Sequence, residues 1–219
     1  MHDSTESLVF QSREVDESDS QPPVVVVLHS RGSDEQELEG VGELFDDDVA
    51  VLYVRAPDAD GKGFRWYDTD LSAGTHDLSQ PQSGDLRRSL NQLHDFVSRA
   101  VDRADLDGNR VGLFGYSQGA IVSLAALVDR PTAYSWVVAL NGYLPSSQTD
   151  PGLIARAAGT PVLVSGGRKD ETIPPWRVQR AGAMLSGGDV DVTLELRDEG
   201  HEWSPETLAD AVAWATEAT

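Results

Sequence analysis

Gly115-Tyr116-Ser117-Gln118-Gly119 is the segment whose residue types and spacing point most directly to chemistry. It fits Gly-x-Ser-x-Gly, the pattern of a serine nucleophile presented on a sharp turn. The pattern alone is weak, because a chain with 20 Gly and 20 Ser yields roughly 0.16 such matches by chance. Its context is stronger. The segment follows an apolar run ending at Phe114 and opens Ala120 to Leu127, a helix apolar on most sides. That is the strand–turn–helix a nucleophile elbow requires. Glycines at both ends remove side chains where strand and helix come close, leaving the Ser117 hydroxyl exposed. A plain Gly/Ser turn between two core elements is the alternative, and the context outweighs it.

A serine nucleophile needs a base, and the base needs an acid to orient it. The five histidines are His2, His29, His76, His94 and His201. His2 is terminal, His76 lies in a polar loop, and His94, beside Asp95 in a helix, reads as a surface residue. His201 sits in Asp198-Glu199-Gly200-His201-Glu202-Trp203, between the last strand and the last helix. In an open α/β sheet that loop lies at the carboxyl edge, where ligands bind. The acid is sought between Ser117 and His201, the chain order that elbow serines use. Asp170 leads, just past the strand that begins at Pro161; Glu171 is its rival, and Asp198 is weaker because it shares the histidine's loop. Two backbone N–H groups should hold an oxyanion. These are Gln118, directly after the serine, and Arg31, in the loop His29 to Asp34, which His29 would brace.

The elements that must position these groups are legible as alternating patterns. Val24–Leu28, Val49–Tyr53, Val111–Phe114, Trp136–Leu140 and Pro161–Val164 are nearly continuous apolar runs, suited to parallel strands buried on both faces. Val190–Leu196 alternates and should have a wetter side, and Ser7 to Gln11 adds an N-terminal edge strand. Leu86, Leu90, Leu93, Val97, Ala100 and Val101 recur at helical spacing, with Ser83 as cap and Asp85 in the first turn. Ser33-Asp34-Glu35-Gln36 has capping-box form before Leu38, Val41 and Phe45. Ser204-Pro205-Glu206 starts a last helix with Leu208, Val212 and Ala215 inward. Strands alternating with helices predict one α/β domain over residues 1–219, its mostly parallel sheet covered on both faces. Residues 1–20 would supply the edge strand and an acidic loop, and no segment is long enough for a lid domain.

Composition bounds the function. Of 219 residues 37 are acidic and 17 basic, for a net charge of −20, which argues against nucleic acid as a partner. The absence of cysteine excludes disulfides, thiolate metal sites and a cysteine nucleophile. No stretch reaches the roughly 18 apolar residues of a membrane span, and the start lacks signal-peptide character, so a cytoplasmic location is expected. The acidity comprises 24 Asp and 13 Glu against 15 Arg and only two Lys, Lys62 and Lys169. Spread along the whole chain, it reads as adaptation to a cytoplasm of molar salt.

The chain resembles the phospholipase/carboxylesterase family of serine α/β-hydrolases, which includes acyl-protein thioesterases. The matching segments are Leu28-His29-Ser30-Arg31-Gly32, Arg55-Ala56-Pro57 with Trp66-Tyr67-Asp68, Gly115 to Gly119, Asn141-Gly142-Tyr143-Leu144-Pro145, Asp170-Glu171-Thr172-Ile173-Pro174 and Gly200-His201-Glu202. They follow the family's order from about residue 24 onward. The resemblance implies an α/β-hydrolase fold, Ser117, Asp170 and His201 as triad, and a substrate cleft lined by Trp66, Tyr67 and Tyr143. It implies a small-molecule ester or thioester substrate and neither metal nor cofactor, and the short connecting segments suit small to medium acyl chains. For the three aromatics, core packing is an equally good reading. Two positions depart from the family pattern. Ser30 stands where Gly is usual, which bears on the turn that aims Arg31, and Gly166-Gly167 stands where a His-Gly pair is common.

The charge reading predicts salt-dependent stability. About 0.1 M salt leaves a Debye length of roughly 10 Å, whereas about 1 M cuts it to roughly 3 Å and screens carboxylate repulsion. The melting temperature should therefore climb as KCl rises from 0.1 to 2 M. A flat profile would make the acidity ordinary surface composition.

Overall fold

A computed structural model describes residues 8–13, 15, 21–72 and 79–218. His2, His76, Ser7 and the acidic Asp16–Asp19 lie outside them. The chain runs β1 (Phe10–Arg13), β2 (Val24–Leu28) and β3 (Ala50–Val54), then two small antiparallel ribbons. These are β4 (Asp58–Asp60) with β5 (Gly63–Arg65), and β6 (Thr69–Asp70) with β7 (Gln80–Pro81). There follow α1 (Ser83–Ala104), β8 (Val111–Tyr116), α2 (Gln118–Asp129), β9 (Trp136–Leu140), α3 (Pro151–Ile154), β10 (Pro161–Gly167), α4 (Pro175–Ser186), β11 (Asp191–Arg197) and α5 (Pro205–Ala218).

Seven strands form one sheet in the order β1-β3-β2-β8-β9-β10-β11. All neighbours pair in parallel except β1, which runs antiparallel to β3. The continuous apolar runs are the inner strands, buried along their whole length. Both faces need cover, and alternate residues show which side each serves. Val24, Val26 and Leu28 join the core beneath α1, α2 and α4, while Val25 and Val27 join the core beneath α5 and the Leu38–Phe45 segment. This is the α/β-hydrolase architecture, a mostly parallel sheet with helices on both faces.

Four local expectations change. Among the described residues the edge strand covers Phe10–Arg13, running past the expected Gln11, and Arg13 anchors its end: its guanidinium donates to the carbonyls of Phe45 at 3.0 Å and Val49 at 2.8 Å. No α-helix follows Ser33. Asp34 accepts from Gln36 N, Glu35 turns to Arg55, and only a 3-10 turn over Glu39–Leu44 forms. Tyr53 takes part of the helix's bonding role there, its hydroxyl accepting from Gly42 N and donating to the Glu39 carbonyl. Leu38, Val41 and Phe45 are still buried. On the other edge, β11 pairs only with β10, and Leu194 is 44% exposed where alternation predicted an inward side chain.

The fourth concerns His94, which is buried rather than exposed. It lies four residues after Leu90 and three before Val97, on the apolar stripe of α1. Its Nδ1 is 2.8 Å from the Tyr134 hydroxyl. Its Nε2 is 3.2 Å from Asp129 Oδ2, close in distance but off the hydrogen-bond direction. Burial, with the Arg130 charge adding to it, lowers its pKa to about 4. The folded pKa thus lies below the unfolded value of about 6.5, and the unfolded chain binds more protons between the two. The contribution is fully present above about pH 6.5 and is lost as pH falls towards 4; its full size is on the order of 3 kcal/mol. His94→Gln should lower the melting temperature at pH 7 yet flatten its decline between pH 7 and 5. An unchanged slope would place the pH sensitivity elsewhere.

Candidate active site

The parallel strands deliver their C-terminal ends to one edge, and the elbow is built there. Leaving β8, the chain reverses within one residue into α2, which forces Ser117 to φ 52° and ψ −114°. A non-glycine residue in this region is strained, so surrounding contacts must over-determine it. The Ser117 N–H donates to the Leu140 carbonyl of β9 at 2.8 Å, and the Ser117 carbonyl accepts from Ile121 N at 3.1 Å. Both pattern glycines are sterically required. A Cβ on Gly119 would stand 2.0 Å from the Leu28 carbonyl oxygen, and one on Gly115 2.5 Å from the Gly119 backbone. The first contact presses the N-terminus of α2 against the chain leaving β2, where the His29–Asp34 loop begins.

His201 and Asp170 arrive from the loops after β11 and β10. The Ser117 Oγ lies 2.9 Å from His201 Nε2, and His201 Nδ1 lies 2.7 Å from Asp170 Oδ2. An ionised carboxylate only accepts, so Nδ1 carries the ring proton and Nε2 offers its lone pair to the serine hydroxyl. Asp170 is fully furnished. Its Oδ1 accepts from Thr172 N and Ile173 N, both at 2.8 Å, and its Oδ2 also accepts from Asn141 Nδ2 at 3.0 Å. Burial pushes its pKa up, but the His201 and Asn141 hydrogen bonds and the Ile173 amide outweigh this and hold it below the ordinary value. Glu171 is exposed, and Asp198 faces Lys169 at 3.0 Å. Neither rival meets the imidazole.

Two further residues, which no catalytic motif marks in the sequence, support the line. Asn141, at φ 51° just past β9, donates to Asp170 and, at 3.2 Å, to the Gly200 carbonyl, tying the acid loop to the histidine loop. Tyr116 donates its hydroxyl to the His201 carbonyl at 2.8 Å, with the two rings 5.6 Å apart. The available signal was position: polar or hydroxyl-bearing residues at the carboxyl ends of predicted strands.

The backbone N–H groups of Arg31 and Gln118 find no hydrogen-bond partner among the described residues. Gln118 also opens α2, whose N-terminal end carries partial positive charge. Its side chain is committed elsewhere, Oε1 accepting from Trp66 N at 2.8 Å and Nε2 donating to the Tyr67 carbonyl at 2.9 Å. The Arg31 guanidinium donates to Asp60 at 2.6 Å and Thr69 at 3.1 Å, pinning the loop to both ribbons. His29 is buried and burial lowers its pKa.

The three aromatics are buried, and only Tyr143 borders a surface pocket, beside Gln80 and Trp176. Trp66 has no exposed surface and donates its indole N–H to the His29 carbonyl at 2.9 Å, so it buttresses the loop from behind. Tyr67 is buried, and Tyr143, also buried, donates to the Ser79 carbonyl at 3.0 Å beneath the Arg177 guanidinium.

Comparison with known proteins agrees with this architecture. The family model described as phospholipase/carboxylesterase matches residues 13–215. The putative hydrolase MhqD of Bacillus subtilis is 24% identical over 195 residues, covering 89% of this chain and 93% of that protein. Acyl-protein thioesterase 1 of Schizosaccharomyces pombe is 27% identical over 110 residues, 50% of this chain and 47% of that protein. The crystal structure of the Bacillus cereus carboxylesterase superposes with a TM-score of 0.81 at 22% identity, over 97% of this chain and 95% of that one.

Asp170→Asn would place an amide against His201 Nδ1 and favour the wrong imidazole tautomer. Ester turnover should then fall by about 10⁴, the size of the corresponding loss in a chymotrypsin-type triad, while Glu171→Gln should change it less than about threefold. Reversed effects on kcat would move the acid to Glu171.

Proposed function

We propose that this chain, a member of the phospholipase/carboxylesterase family of hydrolases, cleaves carboxylic esters of small to medium acyl chain through an acyl-serine intermediate. The observation that carries the reading is the unbroken hydrogen-bonded line from Ser117 Oγ through the His201 imidazole to Asp170. Ser117 Oγ attacks the ester carbonyl carbon as its proton passes to His201 Nε2. The carbonyl electron pair moves onto oxygen, and the Arg31 and Gln118 N–H groups receive that charge. Collapse of the tetrahedral adduct expels the alcohol, which takes the proton from His201. Water then attacks the acyl-serine with the same imidazole as base, releasing the acid and restoring the hydroxyl. Asp170, ionised and multiply hydrogen-bonded, keeps Nδ1 protonated and stabilises the imidazolium formed in each half-reaction.

The small-to-medium chain length is supported by short connections, which among the described residues build no lid domain over the serine. A thioester substrate uses the same steps with a thiol, protonated by His201, as the leaving group, and the similarity to an acyl-protein thioesterase favours testing it beside the ester. Peptide hydrolysis and binding without turnover are the remaining outcomes of the same test. Among the described residues no helix is long and apolar enough to cross a membrane, and the charge of −20 fits a saline compartment.

Ser117→Ala removes a small hydroxyl and opens no large cavity, so the fold should be retained. Turnover of p-nitrophenyl esters and matched thioesters of graded chain length should fall at least about 10³-fold. The parent should be labelled by a fluorophosphonate probe at Ser117 and the variant left unlabelled. Labelling elsewhere, or substantial turnover by a folded Ser117→Ala protein, would refute the assignment.

A further inference from the structure

Residue 30 is unusual in how completely its polar groups are held. The Ser30 N–H donates to Glu37 Oε2 at 2.7 Å, and the Ser30 hydroxyl donates to Glu37 Oε1 at 2.6 Å, so one carboxylate grips both. The Ser30 carbonyl lies 2.6 Å from His29 Nδ1. Because Ala56 N donates to His29 Nε2 at 2.9 Å, that nitrogen is the acceptor and Nδ1 carries the proton that the Ser30 carbonyl receives.

The consequence lies in the peptide unit that follows. The chain contains no cis peptide among its described residues, so the Ser30 carbonyl and the Arg31 N–H are opposite ends of one planar trans unit. Fixing the carbonyl on His29 fixes the Arg31 N–H in the opposite direction. The next residue is pinned too, since Gly32 N donates to the Phe64 carbonyl at 2.7 Å. Within this run the Arg31 N–H is the donor left over. The segment that carries Ala56 is itself anchored: the buried Glu35 forms a two-pronged ion pair with Arg55, which precedes Ala56 in the chain.

We propose that Glu37 and His29 are positioning residues that together aim the Arg31 amide at the acyl oxyanion. A serine at position 30 gives the Glu37 carboxylate a second donor to hold where the family's glycine offers only its N–H. The inference rests on the acyl-transfer reading above, because an amide can be aimed only at a charge that develops.

Glu37→Ala frees both Ser30 donors. It should lower kcat for a p-nitrophenyl ester about 10- to 100-fold, below the loss of about 10²–10³ seen when a whole oxyanion donor is removed. KM should stay within about twofold, and affinity for a trifluoromethyl ketone, whose adduct carries the same oxyanion, should weaken in step with kcat. Glu37→Gln, which can accept from Ser30 N and donate to its hydroxyl, should return kcat to within about threefold of the parent. Ser30→Ala, which deletes one donor and leaves the loop otherwise intact, should fall between them and serves if Glu37→Ala does not fold. Unchanged kcat and ketone affinity in a folded variant, even at a lower melting temperature, would overturn the positioning role. Fluorophosphonate labelling of the parent separates the two levels: no label at Ser117 removes the acyl-transfer reading and this inference with it. A labelled parent with indifferent variants removes this inference alone.

Discussion

The backbone contact between Gly119 and the Leu28 carbonyl is the constraint from which the site follows. It lets α2 start directly against the end of β2 and turns Ser117 into a left-handed conformation that an L-residue adopts only under compulsion. Such a conformation costs on the order of 1–3 kcal/mol and persists because packing offers no relief. Here the compulsion is the sheet itself, with Ser117 N bonded to β9 and α2 buried among β2, β8 and β9. The strain holds the hydroxyl clear of the backbone. The same close approach places the free amide of Gln118 beside the loop that carries Arg31.

On the other side of the serine, burial increases towards the carboxylate. Ser117 and His201 are partly exposed, whereas the Asp170 side chain is wholly buried. A buried carboxylate would normally prefer its neutral form. Four donors reverse that preference, two of them backbone N–H groups from the turn that Asp170 itself begins. Asn141 serves the acid and the histidine loop together, so the relative position of β10 and β11 is set within the active site as well as by their ladder.

An acidic surface is usually treated as a matter of solubility, yet several carboxylates here hold the loops at the functional edge. Glu37 grips Ser30, Glu35 grips Arg55, Asp60 grips Arg31, and Asp85 accepts from Asp68 N. Ion pairs that stay in contact with solvent contribute little individually, and of these carboxylates only Glu35 is buried. Their importance is geometric, because the loops after β2 and β3 have few ladder bonds of their own and need fixed attachments.

The alternation of buried strands and helices was legible along the chain, because period and β-branching are local properties. So were the elbow, whose glycines answer to a contact any such turn must make, and the chain order that put Asp170 before His201. Tertiary structure decided what depends on partners distant in the chain. Chain order favoured Asp170 over Glu171, and the fold adds that it is Asp170 that turns inward to Ile173 N, Asn141 and His201. The burial of His94 required Tyr134, and the confinement of Trp66 required the His29 carbonyl to lie over it. The loop after Ser33 satisfied a capping pattern yet formed no α-helix, since Tyr53 of β3 and Arg55 just beyond it offered its polar groups better partners. Ser30 looked like a departure from a family pattern in the sequence. Only the fold brought Glu37 within reach of both its donors, because a carboxylate seven residues away can close that loop in space but leaves no periodic trace along the chain.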